Sequence, residues 1–487
     1  MNPAGEVDSQ WVYCIGSESF TLNFCFSVDL PLEVWENIFL RCLPSDYTHP
    51  SIREAPLLLC RVSRKWRKNA QNINTLWTTL FAHFDLAKKP KLLRTGLRRW
   101  FSRARPRRLT LVLKVSMPSR GVESSIKREF DSLLSYIAKR AERFHVISVT
   151  DERIHPGVCF TPPVASPALW GEGIMQIIND SSHKFTNLIS FNYGRTYYLH
   201  QRPLLTTMDP PFQLPQSVRK LILNPGPIDI PHWISPIPML QHVVYLDLQG
   251  YSLTPSEFLQ QLAFCPSIIT GLFTILGNND LVSVTTPVRL DKLRSLTLYP
   301  MMYEGNLEFL GTHIDGLSNT LTELSIDSMV KPSPTLHSAA LTPHRGECLT
   351  ALTLMDLDVI AEDLIGFLTS CRALQSLYIK LPSIRETEIV GMLERTTYEP
   401  GSLGVLPILK KFTIVIYMDL HQYIPFYFET MVRSRRNETF LRDSARLIEA
   451  VDLIHLGVGD KPEVDQLRES LADLAGFVLN IEGPKER

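Results

Sequence analysis

The chain has 487 residues, of which 44% are hydrophobic and 21% are charged, and its formal net charge at pH 7 is zero. This balance is typical of a globular protein and argues against a chain built as a whole for nucleic acid or an anionic membrane. No apolar run approaches the roughly 18 residues of a membrane-spanning helix, Glu18 and Asp29 interrupt any signal-peptide pattern, and the eight cysteines form no C-x-x-C pair.

Residues 1–28 are expected to form an N-terminal extension, and the first predicted helix runs from Leu30-Pro31 to Leu43-Pro44. Proline fits the first helical turn, and Glu33 lies at its positive end. Apolar residues recur at a spacing of four, with two aromatic residues beside them: Val34, Ile38 and Cys42, with Trp35 and Phe39.

Two further helices are predicted after a polar loop. A capping-box pattern at residues 51–54 precedes a helix with Leu58, Leu59, Val62 and Trp66 on its apolar side. After Asn72 or Asn74, the apolar residues match helical spacing as far as Phe84. These faces either fill a small helical core or meet a partner protein, and their extent favours a partner.

The order of these signals resembles the F-box over residues 30–84. Leu-Pro is followed two residues later by an acidic residue, then by Cys-x-Val-x-x-x-Trp at 60–66 and by a segment centred on Leu76-Trp77. The phrase REAPLLLCRVSRKWRKNA is similar to the F-boxes of large protein families in mushroom-forming fungi. The resemblance implies docking on a Skp-type adaptor, and through it on a cullin. The residues that match the family's adaptor-facing pattern are Leu30, Pro31, Val34, Ile38, Leu58, Val62 and Trp66.

From about residue 106, the triplet apolar-x-x-Leu-x-Leu recurs, with its centres at 221, 246, 272, 296, 324, 352 and 377. A period in the mid-twenties is the signature of leucine-rich repeats, in which each repeat contributes a short strand and stacks on its neighbours. The predicted fold class is therefore α/β, with a small all-α F-box three-helix module followed by an irregular leucine-rich-repeat solenoid. The predicted domains are the F-box at 29–85, a basic linker helix at 86–105 and the solenoid at 106–480, with insertions at 151–185 and 200–216 and a tail at 481–487.

Six strand positions are predicted to face a target protein on the concave side of the solenoid. Each lies next to or between the leucines of its triplet, and that position is the only reason for naming them: Lys220, Asp247, Ser295, Glu323, Thr353 and Tyr378.

The segment 88–108 concentrates basic residues and has two interpretations. It contacts nucleic acid or a membrane, or it is an amphipathic linker helix that packs Leu93, Leu97, Trp100 and Phe101 against the first repeat. The neutral net charge favours the linker helix. A second basic cluster, 433–436, is predicted to form a solvated turn after a helix.

The sequence contains no phosphate-binding glycine loop, no H-E-x-x-H and no Gly-x-Ser-x-Gly motif. We therefore expect no enzyme activity, no cofactor and no metal, and we expect Cys265 and Cys371 to be buried small apolar residues. The expected function is that of a substrate-recognition adaptor of an SCF-type ubiquitin ligase, in the cytoplasm or nucleus, with an unidentified target protein. The alternatives are an F-box scaffold that acts outside a ligase and a nucleic-acid-binding protein that uses 88–108.

Overall fold

The protein is described here by a computed structural model. The described residues are 30–45, 50–85, 91–117, 124–153, 170–196, 214–224, 240–276, 287–301, 313–315, 320–328, 335–336, 347–380, 386–397, 406–416, 423–436, 448–455, 461–472, 474 and 478–482. The predicted extension at 1–28, most of the predicted insertion at 200–216, and the prolines at 156, 162, 163 and 167 lie outside them.

Eleven α-helices lie within the described residues. They are α1 (Leu32–Arg41), α2 (Leu59–Val62), α3 (Arg64–Asn72), α4 (Lys91–Arg103), α5 (Ser124–Ala138), α6 (Trp170–Asp180), α7 (Pro255–Ala263), α8 (Ala361–Ser370), α9 (Glu386–Thr396), α10 (Tyr423–Arg436) and α11 (Lys461–Ser470). Short 3₁₀ turns connect several elements, and the one at Asn74–Trp77 follows α3.

The strands, in chain order, are β1 (Thr79–Asp85), β2 (Leu109–Met117), β3 (Phe144–Arg153), β4 (Ser190–Thr196), β5 (Lys220–Asn224), β6 (Tyr245–Leu253), β7 (Thr270–Leu276), β8 (Val288–Arg289), β9 (Ser295–Met301), β10 (Ile314–Asp315), β11 (Glu323–Asp327), β12 (Thr335–Leu336), β13 (Ala351–Met355), β14 (Asp358–Val359), β15 (Ser376–Lys380), β16 (Lys411–Ile416), β17 (Ala450–His455) and β18 (Val478–Glu482). The last strand therefore enters the predicted tail.

Fourteen of these strands form one sheet in the order β1-β2-β3-β4-β5-β6-β7-β9-β11-β13-β15-β16-β17-β18. Every neighbouring pair is parallel. The order along the sheet follows the order along the chain. The two-stranded sheets β8–β10 and β12–β14 lie beside it.

The predicted division into an all-α F-box module and a separate leucine-rich-repeat solenoid is wrong. The chain is a single α/β fold whose all-parallel sheet already begins at Thr79, inside the segment predicted to be helical. One continuous hydrophobic core also runs from Trp35 in α1 to Leu471 after α11. The helices at the N-terminus are thus part of the core that the sheet builds.

The third predicted helix shows why this prediction failed. Its apolar spacing also fits a 3₁₀ turn followed by a strand, since Leu80 and Ala82 are buried while the alternate residues Phe81 and His83 are not. Strand β1 pairs with β2 from Thr79 to Asp85. Pairing along the whole strand outweighs a local helical period, which is a weak preference by itself.

The second predicted helix is divided at Ser63. This residue is extended, with φ −157° and ψ 169°, and its Oγ accepts a hydrogen bond from the Trp66 backbone N–H at 3.1 Å, so it is the N-cap of α3. The predicted cap, Ser51, instead accepts from the Arg53 N–H at 3.2 Å within a turn.

A forked hydrogen bond fixes the start of most strands from β5 onward. The carbonyl oxygen of the residue just before one strand accepts hydrogen bonds from two successive backbone N–H groups at 2.8–3.1 Å. The two donors are the residue just before the neighbouring strand and the first residue of that strand. The first such acceptor precedes β4. Ile189 O, for example, accepts from Arg219 N and Lys220 N, and Arg219 O accepts in turn from Val244 N and Tyr245 N. The nine acceptors are Ile189, Arg219, Val244, Ile269, Arg294, Thr322, Thr350, Gln375 and Lys410.

These forks align one inward-facing position in every strand. The aligned positions form a buried row made of Leu80, Leu111, Ile147, Phe191, Leu221, Leu246, Gly271, Leu296, Leu324, Leu352, Leu377, Phe412 and Val451. Leu324 is partly buried and the others are buried. Because residues alternate along a strand, the positions on either side of this row face away from the core.

The buried row corrects one predicted centre. The sequence pattern places Leu272 at the centre of the triplet in β7, but Gly271 is the residue opposite Leu246 and Leu296. Phe273 is buried two residues further on, with its ring 4.9 Å from that of Phe258. A Cβ at position 271 would lie 2.5 Å from Phe273 Cε2, so the aromatic ring fills the space that a leucine fills elsewhere.

Helix α4 connects β1 to β2 and is therefore a crossover within the sheet. Leu97, Trp100 and Phe101 are buried, and the Phe101 ring meets that of Phe144 at 5.9 Å. The packing expected of an amphipathic helix in this segment is confirmed for these three residues. The side chain of Leu93 lies outside the described part.

We predict that Gly271→Ala lowers the thermal midpoint, because the added methyl group overlaps the Phe273 ring, which Phe258 prevents from turning aside. Overpacking of this kind typically removes about 1–3 kcal/mol of stability. Gly391→Ala in α9 is the matched control: nothing lies within 4 Å of its added Cβ, and we expect an unchanged or higher midpoint. Equal effects of the two substitutions would contradict the packing at Gly271.

Candidate protein-binding site

Helix α1 carries more apolar surface than its packing uses. At about 100° per residue, Trp35 and Phe39 lie on the central stripe, with Val34 and Ile38 on one flank and Leu32 and Leu40 on the other, an arc of about 240°. Only Trp35 and Phe39 are buried, and the four flanking residues are exposed. A helix on a globular core typically needs an apolar stripe of only about 100°.

The aromatic residues of α1 pack against α3. The Trp66 ring lies 5.5 Å from Trp35 and 5.1 Å from Phe39, and Trp35 and Phe39 are 5.3 Å apart. Trp66, which the F-box pattern places in the adaptor-facing set, is therefore half-buried in the chain's own core. Leu30, from the same set, is also partly buried against this core.

The remaining predicted adaptor-facing residues are on the surface. Pro31 is exposed at the N-cap of α1, Val34 and Ile38 are exposed on its flank, and Leu58 and Val62 are exposed at α2. The fractional exposure of Val62 reaches 55%. The sequence pattern did not identify Leu32 and Leu40, although the width of the apolar arc of α1 was a usable signal for both.

We call Leu32, Val34, Ile38, Leu40, Leu58 and Val62 the N-terminal apolar face. Among the described residues, 11 large hydrophobic side chains are exposed, and these six belong to that group. All six lie between residue 32 and residue 62, whereas the other five are scattered from Ile189 to Phe426. Exposed apolar residues are ordinary when single, and a group of them is typical of a protein interface.

Two hydrogen bonds attach α1 and α3 to the 3₁₀ turn Asn74–Trp77, which leads into β1. Thr75 Oγ1 donates to Glu36 Oε1 at 2.6 Å, and Trp77 Nε1 donates to Ala70 O at 2.8 Å. Trp77 is fully buried and meets the Trp100 ring edge-on at 4.9 Å, while the Arg103 guanidinium lies 4.3 Å from the Trp77 ring. The N-terminal apolar face is thus held in a fixed orientation at the first strand.

The six predicted target-facing residues all lie on the sheet face opposite the buried row. Ser295 is aligned with Glu323 on the neighbouring strand, and Thr353 is aligned with Tyr378. Lys220 is aligned with Tyr245, and its Nζ lies 4.5 Å from the centre of that ring. Asp247 is aligned with Ile222 and Leu272, one row further along.

The structure adds residues that the triplet pattern missed. Tyr299 and Asp327 lie four positions after Ser295 and Glu323, and hence on the same face of β9 and β11. Gln249 Nε2 donates to Tyr299 Oη at 3.3 Å, and Lys380 Nζ pairs with Asp356 Oδ2 at 2.7 Å. Extending each strand by two residues beyond its leucines would have found these positions from the sequence.

We call Tyr245, Asp247, Tyr299 and Asp327 the acidic tyrosine cluster. Burial raises the pKa of the Asp247 carboxyl, against the lowering effect of the Gln249 backbone N–H and of Lys220. Burial and then the charge of Asp356 raise the pKa of Asp327, while Lys380 lowers it. Burial and the charges of Asp327 and Asp247 raise the pKa of Tyr299. Groups whose pKa values are shifted by burial and by neighbouring charges occur often at functional sites.

The second basic cluster, 433–436, does not form the predicted turn after a helix. Residues 433–436 belong to α10, and Arg435 is 3% exposed. Its Nε donates to Thr396 O and its Nη1 to Leu406 O, both at 2.8 Å, and burial lowers its pKa to about 10. The predicted solvated turn is therefore wrong. Through these two hydrogen bonds Arg435 connects α10 to the end of α9 and to the segment before β16.

The described residues include few candidates for a nucleophile or a metal ligand. Cys265 and Cys371 are buried, as predicted, and burial raises the pKa of each thiol to about 12. Within the described ranges, no group of three or more His, Cys, Asp and Glu residues is arranged to hold a metal ion. None of the described helices combines the length and apolar character needed to cross a membrane.

Comparisons with known proteins give no assignment: no protein-family model matches the chain, and no curated protein matches it.

We predict that Asp247→Asn increases stability at neutral pH. The folded-state pKa of Asp247 lies above its ordinary value of 3.8, so the ionised carboxylate destabilises the fold as the pH rises through that pKa. Asparagine keeps the acceptor for the Gln249 N–H. The thermal midpoint should be higher than that of the wild type at pH 7, and the difference should disappear below about pH 4.

Asp291→Asn is the control for this prediction, because Asp291 is exposed and pairs with Arg289 at 2.9 Å. Its effect should stay within about 1 kcal/mol at any pH. A lower midpoint for Asp247→Asn at pH 7 would show that the charge stabilises the fold.

Proposed function

We propose that this chain is a non-catalytic substrate-recognition adaptor of an SCF-type ubiquitin ligase. Its N-terminal apolar face docks on a Skp-type adaptor, which links it to a cullin, and the exposed face of its sheet binds a target protein. The chain acts in the cytoplasm or the nucleus. Its partners carry out ubiquitin transfer, and the chain supplies proximity and orientation.

The observation that carries the proposal is the N-terminal apolar face. Five of the seven residues that match the adaptor-facing F-box pattern are exposed. One is Pro31, which begins α1, and the other four are large apolar side chains that gain nothing from contact with water: Val34, Ile38, Leu58 and Val62. A stable interface typically has an apolar centre of this kind, with aromatic residues that hold it in shape. Trp35, Phe39 and Trp66 form such a support beneath it.

The attachment of this face to the sheet supports the same function. A ligase adaptor must hold its target at a defined distance from the transfer enzyme, because positioning raises the effective concentration of target lysines. The Glu36–Thr75 hydrogen bond at 2.6 Å joins α1 to the 3₁₀ turn before β1, and the Trp77–Trp100 contact at 4.9 Å joins that turn to α4. A flexible tether would lose this advantage.

The target surface in this proposal is centred on the acidic tyrosine cluster. Tyrosine rings offer apolar area at a low entropy cost, and the carboxylates of Asp247 and Asp327 favour a target with lysine or arginine side chains. The predicted positions Ser295, Glu323, Thr353 and Tyr378 extend this surface along the sheet.

The nucleic-acid alternative draws less support from segment 88–108, since Leu97, Trp100 and Phe101 of α4 are buried in the core. The scaffold alternative uses the same apolar face but no ligase. Affinity purification of the full-length chain distinguishes the two: recovery of a Skp-type protein together with a cullin supports the ligase adaptor, and recovery of the Skp-type protein without a cullin supports the scaffold.

We predict that Val34→Asp combined with Val62→Asp weakens binding to a purified Skp-type adaptor at least tenfold, which corresponds to about 1.4 kcal/mol. Each substitution places a carboxylate on the apolar face, where docking would remove it from water. Both positions are exposed in the free chain, so the circular dichroism spectrum and the thermal midpoint should change little.

Ile360→Asp is the matched control, since Ile360 is 46% exposed and lies far along the chain at the start of α8. It should bind the adaptor as the wild type does. Undiminished binding of the folded double variant would refute the docking face.

A further inference from the structure

A basic cleft of about 480 Å³ lies between α4 and α5. Helix α4 supplies one wall, and α5 with the two residues after it supplies the other. The lining residues are Arg98, Arg99, Ser102, Ser132, Ser135, Tyr136, Lys139 and Arg140. Four cationic side chains and four hydroxyl groups therefore converge from two separate segments of the chain.

The Tyr136 ring holds two of these cations in place. The guanidinium of Arg140 lies 4.1 Å from the ring centre and that of Arg98 lies 5.7 Å from it. The ring is itself buried. Arginines that already rest on an aromatic face lose less conformational freedom when a ligand binds than free side chains do.

The charges of the cleft are all of one sign. Burial, followed by repulsion from Arg99, lowers the pKa of Arg103 next to the cleft, and the charge of Arg140 contributes to the lowered pKa of Arg143. Cations after a helix C-terminus stabilise that helix, which accounts for Lys139 and Arg140 after α5. That effect does not account for Arg98 and Arg99, which lie within α4.

We propose that this cleft binds a phosphate monoester, carried either on a small molecule or on a phosphorylated side chain of a peptide. Guanidinium groups form paired, charge-assisted hydrogen bonds with phosphate oxygens, and serine and tyrosine hydroxyls are further donors. The cleft is within the range of about 300–1,000 Å³ that is typical of small-ligand sites. Its compact, two-walled form favours a single phosphate group over the extended backbone of a nucleic acid.

The test uses the full-length chain and three probes: inorganic phosphate, a synthetic peptide with one phosphoserine, and a single-stranded RNA oligonucleotide. The unphosphorylated peptide is the reference. Calorimetric titration should show binding of inorganic phosphate or of the phosphopeptide, and Arg98→Gln with Arg140→Gln should weaken it at least tenfold. Similar affinities for the two phosphate probes indicate a small-molecule ligand, and a preference for the phosphopeptide indicates a protein ligand.

The control variant is Arg64→Gln with Lys68→Gln, which removes two cations from α3 and leaves the cleft intact. It should bind both phosphate probes as the wild type does. Because Arg98 and Arg140 also pack on Tyr136, the single variant Lys139→Gln provides a second measurement if the double variant unfolds at a lower temperature. It should still weaken phosphate binding severalfold.

Three results would overturn the proposal: absence of binding by both phosphate probes, equal binding by wild type and cleft variants, or binding of the RNA alone. The outcome is independent of the proposed ligase function, since the cleft variants should bind a Skp-type adaptor normally. Loss of phosphate binding with retained adaptor binding would assign the two activities to different surfaces.

Discussion

The forked hydrogen bond that precedes most strands from β5 to β17 is the constraint on which this part of the sheet depends. One carbonyl oxygen receives two N–H groups of the following unit, and the same arrangement recurs from Ile189 to Lys410. It fixes where each strand begins, and so it decides which side chains face inward. A shift of a single residue would turn the whole buried row toward solvent. The apolar residues drive burial, but the forks determine which of them is buried.

The same constraint determines which side chains of each strand lie on the outer face of the sheet. Inward positions are taken up by the core, so the alternate positions of each strand are left for polar residues such as Asp247 and Tyr299. Among the described residues, no strand pairs with the outer edge of β1, and exposed sheet edges tend to recruit other chains. Here the N-terminal helices attach next to β1 through Trp77, and they present apolar side chains of their own. The proposed adaptor contact is thus built at the beginning of the sheet.

Some of this organisation was predictable and some was not. The apolar residues of α1 and the strands around 221, 246, 296, 324, 352 and 377 follow from their periodicity. The fold class was wrong because a period of three to four residues at 73–84 also fits a turn and a strand, and only pairing with β2 decides between them. Gly271 was missed because the ring that replaces a leucine there, Phe273, sits two residues away. Local patterns do not contain such compensations.

The acidic tyrosine cluster and the basic cleft also differ in how far the sequence predicts them. Tyr299 and Asp327 lie on strands that the sequence located, so their shared face follows from alternation along the strand. The basic cleft joins Arg98 to Lys139 and Arg140, which are about 40 residues apart in the sequence and meet only when α4 packs beside α5. The basic segment alone had two interpretations, a contact with nucleic acid or a membrane and an amphipathic linker helix, and the net charge favoured the linker helix. The second wall is what turns it into a cleft.

Because the strands follow one another along the sheet in chain order, the number of strands sets the length of the sheet. Neighbouring strands are about 4.8 Å apart, so thirteen steps carry the last strand roughly 60 Å along the sheet from the first. Gain or loss of one unit between two forks would lengthen or shorten that path by one step and leave every other junction intact. Under the proposed function, the number of units sets how far a bound target lies from the N-terminal helices.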